Sequence, residues 1–146
     1  MRKIIEWNWS REREVVPALL LGCFDRRFRT WRGRFGELMG FDTNYPITIP
    51  GGAKDLVMPK HPRDAEYLLE KIALLSDQYK MLGVMVHSGC LECDERTDPA
   101  FYEDLLHRAG VKLRQHFPRH EILLIYADFN GLYLIDEDVP ALQLVG

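Results

Sequence analysis

No apolar run in the 146-residue chain approaches the roughly 20 residues that a membrane-spanning helix needs. The first residues, with Glu6, Arg11, Glu12, Arg13 and Glu14, lack the apolar core of a signal peptide. A cytoplasmic protein with no membrane partner is therefore expected. An excess of charge of one sign is missing too. The 19 Lys and Arg residues stand against 22 Asp and Glu, a net charge of -3, which gives no basis for nucleic-acid binding. Cysteine is scarce, at three residues, and without an export signal this argues against a disulfide framework. Cys90 and Cys93 are too close in sequence to act as a structural staple. Repeats, low-complexity segments, linkers, nucleotide fingerprints and Ser-His-Asp sets are all absent. One domain spanning 1–146 is expected, long enough to bury a core.

What the chain does have is two stretches of one design. Ala18-Leu-Leu-Leu-Gly22 is an apolar run of the kind that fills a strand buried on both faces, and it ends in Cys23-Phe24-Asp25-Arg26-Arg27. Leu82-Gly-Val-Met-Val86 repeats it and ends in His87-Ser88-Gly89-Cys90. In an open α/β sheet, ligands bind beyond the ends of such strands.

In order, the pattern predicts a strand over Glu14–Gly22 with Pro17 near its beginning, preceded by Trp7 and Trp9. Their spacing suits one face of an extended segment, or an arm packed on a partner subunit. Phe28, Trp31, Phe35, Leu38 and Met39 recur at helical intervals and predict a helix over Arg27–Phe41, weakened by about 1 kcal/mol at Gly33. Arg26, Arg27, Arg29, Arg32 and Arg34 make it the most basic part of the chain. They read as a solvated face covering aromatics, with anion steering as the alternative. Tyr45–Ile49 reads as a strand closed by a Pro50-Gly51-Gly52 turn. A helix opens at His61-Pro62, with Ala65, Leu68, Leu69, Ile72, Leu75 and Tyr79 as its buried stripe. Another runs from Asp98-Pro99 to about Phe117 on Phe101, Leu105, Leu106, Ala109 and Leu113. Glu121–Ala127 is a strand, Asn130-Gly131 a hairpin turn and Leu132–Ile135 the returning strand. Alternating strands and helices predict an α/β fold with a mainly parallel sheet, crossover helices and a C-terminal antiparallel hairpin.

Two thiols and an imidazole, from Cys23, His87 and Cys90, form a donor set suited to Zn²⁺. The fourth position is then left to a water, ionised near pH 7 on zinc, or to Asp25. On an extended chain Asp25 shares a side with Cys23 and can orient a zinc-bound hydroxide. Arg27 can pair with Asp25 and keep it ionised and off the metal. Three other readings stand beside this one. Cys23 and Arg29 fit the Cys-x5-Arg phosphate loop, though Asp25 inside it repels a phosphate. His87, Cys90 and Cys93 form a compact set that can hold a structural zinc. The residues can also be metal-free core Cys and His. His61, His107, His116 and His120 are candidate proton shuttles, or ordinary surface and helix-end histidines.

Cys23-x-Asp25-x-Arg27 at one strand end and His87-x-x-Cys90 at a later one resemble the signature of the β-class carbonic anhydrases. The likeness covers about Val15–Ile135, including the crossover helix before His87 and the final hairpin. It implies zinc held by Cys23, His87 and Cys90, with Asp25 and Arg27 as the orienting pair. It also implies reversible hydration of carbon dioxide to bicarbonate, and a homodimer or higher homo-oligomer. Where the family carries Arg-Asn-Ala-Gly after its second strand, this chain has Pro50-Gly51-Gly52-Ala53, and Leu91 replaces the Gly that follows the second cysteine. The alternative is thus a zinc-binding protein of this kind without anhydrase activity, or one acting on another small electrophile.

Overall fold

Apolar runs too short for helices become strands of one sheet. The computed structural model describes residues 1–135. Its strands are β1 (Ala18–Cys23), β2 (Tyr45–Ile49), β3 (Met81–His87), β4 (Glu121–Asp128) and β5 (Gly131–Leu134). Their order across the sheet is β2-β1-β3-β4-β5. The first four run parallel, and β5 returns antiparallel to β4. The α/β architecture expected from the sequence, hairpin included, is the one found. Residues 136–146 of the expected 1–146 domain lie outside the described residues. No described helix is long and apolar enough to cross a membrane.

The order fixes where a ligand can enter. From β1 the chain goes to β2 on one side and then to β3 on the other, in register Leu19↔Leu82 and Leu21↔Val84. The strand order therefore reverses between the ends of β1 and β3, and a crevice opens at such a point. Both strands are buried almost throughout, which accounts for their continuous apolar sequence.

Three helices cover the sheet: α1 (Trp31–Met39), α2 (Pro62–Ala73) and α3 (Pro99–His116). Alternate side chains along a strand go to opposite faces. Leu19, Leu21 and Cys23 join Leu82, Val84 and Val86 against the inner sides of α2 and α3. Ala18 and Leu20 join Met85 and Ile125 against Trp31 and Phe35 of α1. Burying one such Leu or Phe side chain contributes about 1.5–3 kcal/mol. Gly22 has no side chain because the Trp31 ring lies where one would be, 2.6 Å from a Cβ placed there.

Five expectations change. The first strand begins at Ala18, not Glu14, since Pro17 has no N–H for the ladder and joins the sheet only through its carbonyl, which accepts from Met81 N at 3.1 Å and Lys80 N at 3.4 Å. The helix expected over Arg27–Phe41 is split into a single 3₁₀ turn (Arg26–Phe28) and α1. Leu38, placed on the inner face by its spacing, is exposed. α2 stops at Ala73, so Leu75 and Tyr79 of its expected stripe lie beyond it. Tyr79 is still buried, and its hydroxyl donates to Ile72 O. Asp98 stands at the N-cap of α3, but its carboxylate accepts from Arg96 instead of capping.

Met1–Val15 is exposed throughout and forms no strand. Trp7 and Trp9 face one another in this segment, with ring centroids 4.5 Å apart.

Candidate metal centre

Cys23 ends β1 and His87 ends β3. Beyond His87, Ser88 N still donates to Ala127 O at 2.9 Å, and Gly89 at φ +70° then turns the chain. That turn returns Cys90 towards Cys23. The two sulfurs and a His87 nitrogen lie within 4.8 Å of one another, and all three residues are buried. Donors around tetrahedral zinc sit roughly 3.8 Å apart for bonds of about 2.3 Å, so the group is at most about 1 Å too open.

The imidazole is already oriented. His87 Nδ1 lies 2.8 Å from Ser88 O, an acceptor, and so carries the proton. Nε2 then presents a lone pair, is buried, and has no hydrogen-bond partner. Phe28 stacks on the ring at 4.5 Å. An orphaned buried nitrogen facing two thiols is what an imidazole-dithiolate zinc site needs. The residues present fit that ion.

Without metal, protons take the cation's place. The hydrogen bond with the Cys90 thiol, then burial, pushes Cys23 up to about 12. Its bond to Cys23 draws Cys90 down, but contact with Cys93 and burial outweigh that and leave Cys90 raised. Burial lowers His87, yet the Cys23 sulfur and the Ser88 carbonyl raise it further. Each donor holds its proton more tightly than usual.

Asp25 stands two residues past Cys23. Its Oδ1 accepts from Arg27 N at 2.9 Å, which starts the 3₁₀ turn that splits the expected helix. Arg27 Nε lies 3.1 Å from both carboxylate oxygens, and Nη2 is 2.7 Å from Oδ2 and 3.1 Å from Gly89 O. One guanidinium thus ties the β1 end to the β3 end. This contact, outweighing the cost of desolvation, lowers Asp25 to about 2. The stabilisation that follows is complete above the ordinary value of 3.8 and fades as pH falls towards 2. Oδ2 is 3.8 Å from His87 Nε2, and Asp25 stays outside the donor group.

Pro50-Gly51-Gly52 is a turn, as expected, and it does more than reverse the chain. Gly51 N donates to Cys23 Sγ at 3.4 Å. Gly51 and Gly52 both have positive φ, +86° and +58°. A Cβ on Gly52 would lie 2.3 Å from Met85 O and 3.2 Å from Cys23 N. Overpacking costs about 1–3 kcal/mol, and a left-handed non-glycine residue about 1–2 kcal/mol more. Gly52→Ala is therefore expected to destabilise the fold by at least about 2 kcal/mol, read as a lower urea midpoint. An unchanged midpoint would show that the loop does not press on the strand ends.

The sequence reading passed over Lys54. It is buried just past the glycines, with Nζ 3.3 Å from Asp55 and 3.7 Å from Glu92. It so pins the glycine loop to the Leu91–Cys93 turn. Its place between Ala53 and Leu56, both buried, is the only sequence signal for this.

The remaining candidates fall outside the group. Cys93 is buried but not among the clustered donors. Arg29 is exposed and donates to Arg26 O at 3.0 Å, whereas Arg32 covers Trp31 but is half-buried, with its Nη1 lacking a hydrogen-bond partner, so the basic face is only partly solvated. An open cleft of about 670 Å³ leads to Cys23, Asp25 and Cys90, with Phe24, Leu91 and Glu95 on its walls and no histidine.

No protein-family model matches the chain, and no curated protein matches it significantly. Solved structures do. A carbonic anhydrase from Streptococcus mutans aligns with a TM-score of 0.53 at 12% identity, covering 88% of each chain. The β-carbonic anhydrase isoform I of Trichomonas vaginalis aligns with a TM-score of 0.52 at 13% identity, covering 89% of this chain and 87% of its own. The architecture built by β1 to β5 and its helices is a β-carbonic-anhydrase-like fold.

Proposed function

We propose that this chain is a zinc enzyme that reversibly hydrates carbon dioxide to bicarbonate. Cys23, His87 and Cys90 hold the metal, and Asp25 with Arg27 orients the nucleophile. The observation behind this reading is a carboxylate beside the donor group that Arg27 keeps ionised and turned away. A purely structural zinc takes four protein ligands and needs no such neighbour. Zinc bound here supplies a Lewis acid that lowers the pKa of a water to about 7.

The chain's own groups do the rest. With zinc held there, Asp25 Oδ2 would accept a hydrogen bond from the activated water and so fix its orientation. Arg27 keeps Asp25 charged, and an acceptor it remains across the working pH range. Phe24 and Leu91 offer apolar contact to an uncharged substrate, and the open cleft lets a proton reach solvent. The test is stopped-flow hydration across pH by the zinc-loaded protein. A rate above buffer that rises through neutral pH is expected, and no rate above buffer up to about pH 9 would end the proposal.

A second reading rests on the Pro50-Gly51-Gly52-Ala53 loop, which offers backbone but no polar side chains to the cleft. Under it the same zinc site serves another small electrophile or no reaction. We further propose a cytoplasmic homodimer or higher homo-oligomer, because Ile4, Ile5, Trp7 and Trp9 are all exposed on the N-terminal arm. Light scattering at micromolar concentration is expected to give at least twice the chain mass, and a monomer would count against it.

A further inference from the structure

Cys93 has no place in the proposed reaction, yet it sits one turn from a proposed ligand. Cys93 N donates to Cys90 O at 3.0 Å and closes the Leu91–Cys93 turn. A turn of this kind brings its end Cα atoms within about 7 Å, the range a disulfide spans. Neither cysteine is in a disulfide, and all three cysteines are free. The turn is held firmly: Glu95 N donates to Cys90 O at 2.8 Å, although Asp94 and Glu95 both adopt positive φ. Both thiols are buried, with Cys90 2% and Cys93 5% exposed, and of the two only Cys90 borders the open cleft.

We propose that Cys90 and Cys93 are a dithiol that hydrogen peroxide converts to a reversible disulfide, taking the Cys90 sulfur out of the metal-binding group. The Cys90 sulfur attacks a peroxide oxygen and the O–O bond breaks. Water leaves with the thiol proton, and Cys90 becomes a sulfenic acid. The Cys93 sulfur then attacks the Cys90 sulfur, the S–O bond breaks, and a second water carries off the Cys93 proton. Together the sulfurs lose two electrons, which reduce one peroxide to two waters. A thiol reductant reverses the change by exchange. The disulfide chemistry stands apart from the proposed reaction, whereas its effect on metal rests on the ligand assignment.

The rival product is a Cys23–Cys90 bond, since those sulfurs are also within 4.8 Å. The full chain, zinc-loaded and chelator-stripped, is treated with hydrogen peroxide, alkylated, and mapped by peptide mass spectrometry. Released zinc is followed with a chromogenic chelator. The expected result is a Cys90–Cys93 cross-link with Cys23 alkylated, erased by dithiothreitol, and zinc release in step with cross-linking. In Cys93→Ala protein, Cys90 is expected to pass to the sulfinic acid, which dithiothreitol does not recover. A Cys23–Cys90 cross-link, or Cys90 sulfinic acid without a cross-link in the unaltered chain, overturns the proposal. A Cys90–Cys93 cross-link with zinc fully retained overturns the metal half and removes Cys90 from the ligand set.

Discussion

Cys23→Ser protein purified without added zinc is expected to contain almost none, while Cys93→Ser retains one equivalent per chain. Removing even an outer-shell partner of a zinc ligand lowers affinity by about 10–100-fold, so losing the Cys23 sulfur should exceed 100-fold. Elemental analysis reads both variants. The reverse result, a full equivalent in Cys23→Ser and none in Cys93→Ser, would assign the metal to His87, Cys90 and Cys93. The thiols and imidazole add a pH signature with a definite sign. Their protons are held more tightly than usual, so zinc must displace them. Affinity should rise steadily with pH and fall on acidification. A chelator competition that is flat between pH 6 and about 9 would mean that other groups bind the ion.

Asp25→Ala is expected to lower kcat for hydration by about 10²-fold or more with zinc content unchanged, the usual scale for a group that positions a proton. Arg27→Ala should behave differently. Without the guanidinium on both its oxygens, Asp25, whose Oδ2 already lies 3.8 Å from His87 Nε2, is free to turn and take the open metal position. That protein should be nearly silent at pH 7 and regain activity towards pH 9, as hydroxide competes with the carboxylate. Asp25→Ala has no carboxylate to release and should show no such recovery. Identical pH profiles for the two variants would show that Arg27 does not act by holding Asp25 off the metal.

Zinc depletion and a lost rate are different failures. Protein that binds zinc through Cys23, His87 and Cys90 but does not hydrate carbon dioxide would support the reading based on Pro50-Gly51-Gly52-Ala53. Protein that hydrates carbon dioxide despite that loop would mean that backbone amides and Arg27 suffice around the cleft.

Local pattern was enough to read the strands, the helices and the kinds of donor in this chain. Buried parallel strands need apolar side chains on both faces, and helices need them every three to four residues, so β1, β3, β4, α3 and the start of α2 were legible to within about four residues, while the end of α2 was overrun to Tyr79. The misreadings fell where a side chain far or near in sequence competed with the pattern. Asp25 capped a 3₁₀ turn inside an apparent helix, and Pro17 delayed a strand by withholding its N–H. Other features belong to tertiary structure alone. The sequence named Cys90 but left the Cys93 alternative open, and the Gly89 turn decides between them by returning Cys90 and leaving Cys93 outside. Gly52 must be glycine because the Met85 carbonyl of β3 lies against it, and Lys54 can be buried because Asp55 and Glu92 meet its charge. Residue types and spacing record what a segment wants from its own backbone. Contacts between β1, the glycine loop and the turn after β3 exist only once the sheet has set their distances.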